Sequence, residues 1–457
     1  MKQCDSSFRD PDGYMFESKG EFYRVVNYSY QLAYDHFRSS GLYEKLVNKF
    51  MIIPFEEIDS SIFGLSGVYK ILKPERIRFI SYPSEWSFDM LKDAAILTIE
   101  IQKLALECGM SLKDASAFNV QFHNGSPIFI DTLSFEILIA ERPWNAYRQF
   151  CQHFLAPLAL MANVDLSINR LFIIHIDGIP LELAAKLLPF KCYFNLGLFL
   201  HVFLHARAQR KHEKNDTVIS KEKKSFSLKS MKVLLEALRL TIEHQKLKSC
   251  KSEWSYYTDE HVHSHDYTDF KTNLISHWLE NVKPLTVWDL GANTGHYSRI
   301  AVDKGSSVIS FDADPLCVNL NYLLVRKNKE KSILPILQDI LNTSPSFGWG
   351  GNERLSLYNR ARPDMVIALA LIHHLAIRGN VPFDSIAKLF STLSDSLIIE
   401  FIPKDDEKVK LLLLNRVDIF KNYTTYKFEE AFLKYFTFEE KVISQSNKRE
   451  FYLMKRK

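Results

Sequence analysis

The sequence is poor in cysteine, and its cysteines are not grouped. Six cysteines are scattered along 457 residues, and no two of them form a C-x-x-C pair. Grouped cysteines usually mark a zinc site or a disulfide framework, so this scatter argues against both and fits a reducing compartment. The N-terminal residues are polar and charged and show no signal peptide. We therefore expect a cytoplasmic protein without a bound metal.

The sequence also lacks a strong charge imbalance and a long apolar run. Its formal net charge is +4, and it contains no arginine-rich tract. These absences disfavour a nucleic-acid partner. The most apolar stretch, 187–206, is interrupted by Lys191, Asn195 and His201. It therefore predicts a buried helix rather than a membrane span.

A short segment with two glycines is the most informative part of the chain. Residues 287–298 read V-W-D-L-G-A-N-T-G-H-Y-S, which predicts a strand ending at Asp289, a turn with Gly291 and Gly295, and the start of a helix. Glycine lets backbone N–H groups and a helix N-terminus approach a ligand closely, because no Cβ stands in the way. The G-x-x-x-G spacing differs from the G-x-G-x-x-G of dinucleotide sites. With its preceding Asp, the segment resembles the first motif of class I S-adenosylmethionine (SAM) methyltransferases.

Two further strands follow in the order that this resemblance requires. The second ends at Asp312, about 20 residues past the glycine turn, where a carboxylate suits two ribose hydroxyls. The third, at 333–337, is followed by Asp339, and the family places an acidic residue here against the adenine amino group. The resemblance therefore implies SAM as the cofactor. Six residues would form the cofactor site: Asp289, Gly291, Asn293, Gly295, Asp312 and Asp339.

The remaining strands would complete a Rossmann-like, seven-stranded α/β fold of the class I methyltransferase type. The fourth and fifth are predicted at 364–370 and 397–401. A closing antiparallel pair, typical of this fold, is predicted from 441 to 444 and from 450 to 454. The fold places the cofactor at the carboxyl ends of the strands, so the acceptor should lie near the ends of strands four and five.

Three residues at those strand ends are candidate general bases: His373, His374 and Glu400. A histidine that titrates near neutral pH is a natural base for a hydroxyl acceptor. Because adjacent residues point in different directions, we expect at most one histidine to be catalytic, while the other packs or lines the pocket. Glu400 is the alternative base, or else it bonds a neighbouring loop. The choice among the three stays open.

Two segments are candidate walls of the acceptor pocket. Residues 342–362 form a long connection that contains Trp349, and residues 403–426 follow the fifth strand and contain Tyr423. Long loops inside a compact domain are usually functional or disordered. Either aromatic ring would suit stacking on a sugar, and ordinary surface packing is the alternative.

The N-terminal part resembles protein-kinase-like and aminoglycoside-phosphotransferase-like folds. Residues 111–136 contain Asp114, then Asn119, then an apolar hairpin that leads to Asp131. The resemblance implies that Asp114 orients an acceptor hydroxyl while Asn119 and Asp131 hold magnesium against ATP. No glycine-rich phosphate loop is present, and Arg24 occupies the nearest position to the usual lysine, which arginine does not simply replace. We therefore expect an α+β kinase-like domain that is degenerate.

The small elements of this part follow a kinase-like order. Strands are predicted at 14–17, 22–26 and 76–82, with a helix at 28–49 between the second and the third. Helices of a larger lobe are predicted downstream, at 144–161 and 179–205.

Composition divides the chain into three zones. We predict the kinase-like domain at 1–205, a basic linker at 206–232 and the methyltransferase domain at 233–457. The last zone would open with a helical and aromatic lead-in, 233–283, before its core at 284–457. The lead-in is either a lid over the cofactor or an extension packed on the sheet. Its H-x-H-x-H run, 261–265, could suggest a metal site, but it lacks an accompanying cysteine or a second ligand cluster, and we predict none.

Across nearly its full length the chain resembles a family of bacterial two-part proteins, some of them host-specific nodulation proteins. The stretches that carry this resemblance include F-R-D-P-D-G, Y-P-S-E-W-S-F, F-I-D-T-L-S-F-E and A-L-A-L-I-H-H-L. It implies a SAM-dependent methyltransferase, with O-methylation of a carbohydrate or another small hydroxylated acceptor as our first hypothesis. The alternatives are a bifunctional enzyme that also transfers phosphate from ATP, and a non-catalytic SAM-binding scaffold.

Overall fold

The computed structural model describes residues 1–208, 226–247, 265–414 and 417–457. They form two compact units. The first unit comprises the described residues of Met1–Ser249 together with Ser346–Leu355. The second unit comprises those of Cys250–Pro345 and Ser356–Lys457. No helix among these residues is long and apolar enough to cross a membrane.

The first unit begins with a five-stranded antiparallel sheet in the order β1-β2-β3-β5-β4. Two helices lie between β3 and β4 in the chain. The elements are β1 (Lys2–Gln3), β2 (Gly13–Ser18), β3 (Glu21–Asn27), α1 (Gln31–Ser39), α2 (Leu42–Asn48), β4 (Phe55–Ile58) and β5 (Val68–Pro74).

Local patterns predicted part of this sheet correctly. The strands predicted at 14–17 and 22–26 are β2 and β3. The helix predicted at 28–49 is divided in two at Gly41, whose φ of 73° is left-handed and ends the first helix. The strand predicted at 76–82 is wrong, because the N–H groups of Ser81 and Tyr82 bond the side chains of Gln121 and Glu85 rather than a neighbouring strand.

The rest of the first unit is mainly helical. The long helix α3 (Phe88–Glu107) has buried residues on most of its turns and forms the centre of this part. Two short antiparallel pairs follow it: β6 (Met110–Leu112) with β9 (Phe135–Ile137), and β7 (Val120–His123) with β8 (Ser126–Phe129). The later helices are α4 (Tyr147–Phe150), α5 (Ala156–Asn163), α6 (Leu181–Leu187), α7 (Leu196–Leu198) and α8 (Leu228–Glu243).

Helix α8 belongs to the first unit, although its sequence position suggested the start of the methyltransferase zone. Lys103 of α3 lies 3.0 Å from the Glu236 carboxylate on α8. Lys92 of α3 donates to the carbonyl oxygen of Glu243 at 3.0 Å. The helix also begins at Leu228, within the stretch predicted as linker. Residues 209–225 of that stretch lie outside the described residues.

The second unit is built on a seven-stranded sheet with helices between the strands. The strand order is β12-β11-β10-β13-β14-β16-β15, in which the first five strands are parallel and the last two antiparallel. The strands are β10 (Thr286–Leu290), β11 (Ser307–Asp312), β12 (Ile333–Leu337), β13 (Met365–Ala368), β14 (Ser396–Phe401), β15 (Phe436–Ile443) and β16 (Glu450–Arg456). The helices are α9 (His265–Val282), α10 (His296–Asp303), α11 (Pro315–Asn328), α12 (Leu357–Arg360), α13 (Phe383–Leu393), α14 (Glu407–Leu413) and α15 (Thr425–Phe432).

The central strands are apolar on both faces because helices cover both. Val287, Val308, Ile367 and Ile398 are fully or almost fully buried, one on each of four neighbouring parallel strands. Such continuous apolar runs are typical of parallel sheets between helical layers. The predicted α/β class is confirmed.

The strand order also locates the binding edge of the sheet. From β10 the chain proceeds outward through β11 and β12, and then returns to the other side of β10 as β13. The connections therefore reverse direction beside β10. In open α/β sheets, ligands bind at the carboxyl ends of the strands beside such a reversal.

Candidate active site

The glycine turn leaves β10 at this reversal and enters α10. Gly291 and Gly295 have φ values of 76° and 82°, and Asn293 between them has 52°. A Cβ at Gly295 would stand 2.6 Å from Oδ1 of Asn321, whereas a Cβ at Gly291 would meet nothing closer than Leu371 at 3.5 Å. Gly295 is therefore required by both space and backbone, and Gly291 mainly by its backbone conformation.

Asp289 lies at the end of β10, beneath this turn. Its carboxylate is buried and accepts a hydrogen bond from the Ser298 hydroxyl on α10 at 2.6 Å. Burial raises the pKa of Asp289 to about 6, against the lowering effect of the Ser298 bond. Asp289 therefore ties the strand to the helix that follows the turn.

Asp312 lies at the end of β11, against the other side of the turn. Its carboxylate accepts the backbone N–H of Asn293 at 2.7 Å and that of Asp314 at 2.8 Å. Burial raises the pKa of Asp312 to about 6, while these N–H groups act in the opposite direction. A carboxylate can accept about four hydrogen bonds. Asp312 is therefore held in one orientation and keeps acceptor capacity for a ligand hydroxyl, which fits a nucleoside ribose.

Asp339 follows β12, the next strand of the sheet. Its carboxylate accepts the N–H of Leu341 at 2.9 Å and shapes a tight turn. Leu341 in turn packs at Gly379, where an added Cβ would stand 2.4 Å from its side chain. The turn carrying Asp339 therefore contacts the segment that follows β13.

His373 and His374 lie in that segment, at the carboxyl end of β13. Their ring centroids are 4.2 Å apart, and His374–Arg378 forms one π-helical turn. His373 is 2% exposed, and its Nδ1 is buried without a hydrogen-bond partner among the described residues. Burial lowers the pKa of His373 well below its usual value and that of His374 to about 4, so both rings are neutral at pH 7.

Backbone geometry brings these histidines towards the glycine turn. Ala370, at the end of β13, has a φ of 50°, which is unusual for a residue with a side chain. Leu371 then lies beside Gly291. The two histidines therefore follow directly on a turn that touches the candidate cofactor site.

Glu400 is buried in a network of hydrogen bonds at the end of β14. One carboxylate oxygen accepts from Tyr267 at 2.9 Å and from Arg449 at 3.1 Å. The other accepts from Lys271 at 2.6 Å and from the N–H of Ala370 at 2.9 Å. Burial by itself would raise the pKa of Glu400, but Lys271 and Arg449 outweigh it and lower the pKa to about 2. A carboxylate with four donors and this pKa is a poor proton acceptor, which favours the role of bonding a neighbouring loop.

Sequence reasoning did not single out Lys271 or Arg449, and it named Tyr267 only as one aromatic residue of the lead-in. Tyr267 and Lys271 are four residues apart on α9, so their side chains share one helix face. That spacing was visible in the sequence. Their common partner was not, because Glu400 is 129 residues beyond Lys271.

The two aromatic residues proposed as stacking surfaces differ from expectation. Tyr423 is 4% exposed, stacks on Phe401 at 5.3 Å and donates its hydroxyl to the carbonyl of Ile402 at 2.9 Å. Its ring is part of the core and cannot stack on a sugar. Trp349 is 74% exposed and lies in the segment Ser346–Leu355, which is part of the first unit.

In the first unit, Asp114, Asn119 and Asp131 are brought close together. The Asn119 amide donates to the Ser134 hydroxyl at 3.1 Å, and that hydroxyl donates to Asp131. Burial raises the pKa of Asp114, and the nearby charge of Asp131 adds to the shift. Arg24 of β3 lies 2.7 Å from the Asp131 carboxylate.

The Asp131 carboxylate in this cluster already has partners within the protein. Both oxygens of Asp131 are engaged, one by Arg24 and the other by Ser134. Within the described ranges, no group of three or more His, Cys, Asp or Glu side chains is placed to hold a metal ion. The H-x-H-x-H run gives no further test, because 261 and 263 lie outside the described residues.

The order of the seven strands, the glycine turn and the carboxylates that end the next two strands define a class of protein. This class is the SAM-dependent methyltransferases, and the chain is an enzyme of this class. No family model matches the chain. Nodulation protein NoeA of Rhizobium meliloti (strain 1021) is 32% identical to it over 445 residues, which are 96% of this chain and 92% of that protein. The chain belongs to the NoeA family.

Several solved structures are similar to part of the chain. WbdD is 16% identical, with a TM-score of 0.32 over 44% of this chain and 42% of that chain. The magnesium protoporphyrin IX methyltransferase ChlM from Synechocystis PCC 6803, solved with bound SAH, is 15% identical, with a TM-score of 0.31 over 42% and 84%. The N-methyltransferase NodS from Bradyrhizobium japonicum WM9 is 9% identical, with a TM-score of 0.31 over 42% and 98%.

Proposed function

We propose that the protein transfers the methyl group of SAM to an oxygen atom of a carbohydrate or another small hydroxylated acceptor. One observation carries the proposal: a buried, neutral His373 follows directly on the turn that touches Gly291. A neutral imidazole is the form that accepts a proton. An attacking hydroxyl must lose a proton, so a neutral ring at this place suits an oxygen acceptor.

Six residues would hold the cofactor, as the motif resemblance implied. The turn of Gly291, Asn293 and Gly295 would lie against its methionyl part, with Asp289 supporting the turn from below. Asp312 would accept hydrogen bonds from the ribose hydroxyls, and Asp339 would bond the adenine amino group. Bound SAM supplies a methyl group on a sulfonium, which is an excellent leaving group. The protein's own task is therefore to align the acceptor oxygen, exclude water and take up the proton.

His373 is the preferred base, and Glu400 is not. Nδ1 of His373 is buried and has no partner among the described residues, so it can accept a hydrogen bond from an acceptor hydroxyl. All four acceptor positions of Glu400 are already used within the protein. His374 remains the second candidate, because its ring lies next to that of His373, with the ring centroids 4.2 Å apart.

A cleft of about 440 Å³, lined in part by residues that follow His374 in the chain, has a size suited to a small acceptor. Ala376 and Asn380 line one side, just past His374, while Asn422 and Lys427 line the other. Phe383 and the edge of Tyr423 add apolar surface. An apolar wall with amide and charged groups around it suits a sugar ring and its hydroxyls.

The first test is methyl transfer itself. Purified protein is incubated with SAM labelled in its methyl group and with fractions of small molecules from cell extract, and labelled products are identified by mass spectrometry. His373→Gln should lower turnover at least tenfold while leaving SAM binding intact, since general-base contributions are about 10²–10⁴-fold. His374→Gln separates the two candidate bases and should keep most of the turnover if His373 is the base. Label on nitrogen would overturn the oxygen-acceptor proposal, and equal loss in the two variants would overturn the assignment of His373.

We also propose that the first unit is a degenerate kinase-like domain. Its antiparallel sheet is followed by α3, the Asp114–Asn119 segment, the β7–β8 hairpin and then Asp131, which is the order the resemblance requires. The Arg24–Asp131 ion pair occupies the carboxylate that would otherwise hold magnesium. The alternative, a bifunctional enzyme, requires magnesium-dependent ATP binding that is lost in Asp131→Ala. Titration with ATP and magnesium at millimolar concentration decides between the two. A non-catalytic SAM-binding scaffold is the remaining alternative, and turnover of any acceptor would exclude it.

A further inference from the structure

A side chain, that of Glu400, bonds the backbone of the Ala370 turn. Ala370 has a φ of 50°, and a residue with a Cβ adopts this left-handed conformation only when its surroundings impose it. One contact that favours this conformation is a hydrogen bond: the Ala370 N–H donates to Oε2 of Glu400 at 2.9 Å. Two residues later the chain reaches Ile372 and then His373, so the direction of the Ala370 turn sets where that histidine lies.

The oxygen that holds Ala370 is itself held by Lys271. The Nζ of Lys271 lies 2.6 Å from Oε2 of Glu400, and the side chains of Lys271 and Glu400 are both buried. Tyr267 and Arg449 bond the other oxygen, Oε1. Donors to both oxygens therefore fix the orientation of the Glu400 carboxylate. Lys271 is the side chain that bonds the same oxygen, Oε2, as the Ala370 turn does.

Arg449 extends the support away from the turn. It lies between Glu400 and Asp406, with Nε 2.9 Å from the Asp406 carboxylate. Glu400 therefore has two cationic partners, which keeps the network close to neutral in charge, as a buried site requires. With Arg449 in place, loss of Lys271 removes the support of one oxygen without leaving the carboxylate unpaired.

We propose that Lys271 is a positioning residue for methyl transfer. Through Oε2 of Glu400 it fixes the Ala370 turn, and through that turn it places His373 beside the glycine turn. Lys271 comes from α9, ahead of the first strand, so this helix contributes to the arrangement of the acceptor side. The inference rests on the proposed function, because it concerns the same site.

Lys271→Met tests the proposal by hydrogen exchange and by turnover. Methionine fills a similar volume without the ammonium group. Amide exchange in a peptide covering 369–378 should rise about tenfold, as expected of local opening, while a reference peptide covering 307–312 stays unchanged. Turnover should fall by about 10–100-fold, since small misplacements of a catalytic group have effects of this order. The dissociation constant of SAM should change little.

Two further variants make the test specific. Lys271→Arg keeps the positive charge and should recover part of the turnover. Lys304→Met is the matched control, because Lys304 forms an exposed pair with Glu280 at 3.2 Å in the same unit, and it should behave as the wild type. If Lys271→Met does not fold, Glu400→Gln takes its place with the same expectations for the 369–378 peptide.

The outcomes separate this inference from the proposed function. Exchange that is unchanged at 369–378, or raised equally throughout the second unit, overturns the positioning role. A wild-type protein that neither binds SAM nor methylates any fraction overturns the proposed function. The exchange measurement needs no acceptor, so it reports on Lys271 in either case.

Discussion

The backbone N–H of Asn293 donates to the carboxylate of Asp312 across 2.7 Å, so the glycine turn and the end of the second parallel strand are joined directly. This bond connects two motifs that are 19 residues apart in the chain. Together with the Asp314 N–H, it fixes the orientation of the Asp312 carboxylate beside the glycine turn. The predicted hydrogen bonds from a ribose to Asp312 would therefore be made to a carboxylate that is already held in one orientation.

Asp312→Ala should weaken SAM binding by about 10–100-fold. A hydrogen bond to a charged group contributes about 1.5–3 kcal/mol, which corresponds to that change in affinity. Isothermal titration with SAM measures it. Asp303→Asn, at the exposed end of α10, is the control and should bind as the wild type. Equal affinity in Asp312→Ala and the wild type would remove Asp312 from the cofactor site.

The affinity for SAM should depend on pH through Asp312. Burial raises the pKa of this carboxyl to about 6. If ribose hydroxyls bond its ionised form, binding strengthens as pH rises through about 6 and is constant above it. Titrations between pH 5 and pH 8 test this, and Asp312→Asn should lose the dependence. An unchanged pH dependence in that variant would assign it to another group, such as Asp289, whose pKa burial also raises to about 6.

Glu400 should make stability fall in acid. Its folded pKa is lowered from 4.5 to about 2, because Lys271 and Arg449 outweigh burial. The ionised network therefore contributes stability that is present above pH 4.5 and is lost as pH falls towards 2. Denaturant unfolding across this range should show a steeper loss in the wild type than in Glu400→Gln. Glu280→Gln, on an exposed pair, should keep the wild-type slope. A shared slope in all three proteins would contradict the assignment.

Gly295→Ala should destabilise the protein more than Gly305→Ala does. Both glycines have left-handed φ values, 82° and 95°, which cost an alanine about 1–2 kcal/mol. At Gly305 nothing lies within 4 Å of the added Cβ, whereas at Gly295 it would stand 2.6 Å from Asn321. Only Gly295→Ala should also reduce SAM binding. Thermal unfolding of the wild type and the two variants measures the loss of stability. The difference between the two variants gives the part that is due to the steric clash at Gly295.

The pair formed by Arg9 and Glu353 should stabilise the first unit. Arg9 bonds both oxygens of the buried Glu353 carboxylate, at 2.7 and 2.8 Å. Arg9→Met leaves that carboxylate with the Trp349 N–H and the more distant Arg354. We expect a loss of about 1–3 kcal/mol, measured by urea unfolding. Arg362→Met, on the exposed pair with Asp395, should lose much less.

Much of the second unit could be predicted because its signals are local. The glycine turn needs particular residues at particular φ values, and those residues are adjacent in the chain. Asp312 and Asp339 come directly after apolar strands, so their placement follows from strand order alone. The same holds for Asp114, Asn119 and Asp131, which a short hairpin brings together.

Other features depend on contacts between distant residues. The role of Glu400 depended on Lys271 and Arg449, which are 129 and 49 residues away in the chain. The sequence predicts that Tyr423 is an aromatic residue of a loop. Its burial becomes clear only from the packing of Phe401 against it. Helix α8 has an amphipathic pattern that fits either unit, and its partner α3 decided which.

In the second unit, the sequence by itself determined the succession of strands along the chain, the glycine turn and the acidic residues that follow the strands, because each depends on backbone preference and local periodicity. Only the tertiary structure decided which carboxylates remain available as ligands and which are used within the protein. That distinction depends on burial and on charged partners far away in the chain, and both arise only when the chain has folded.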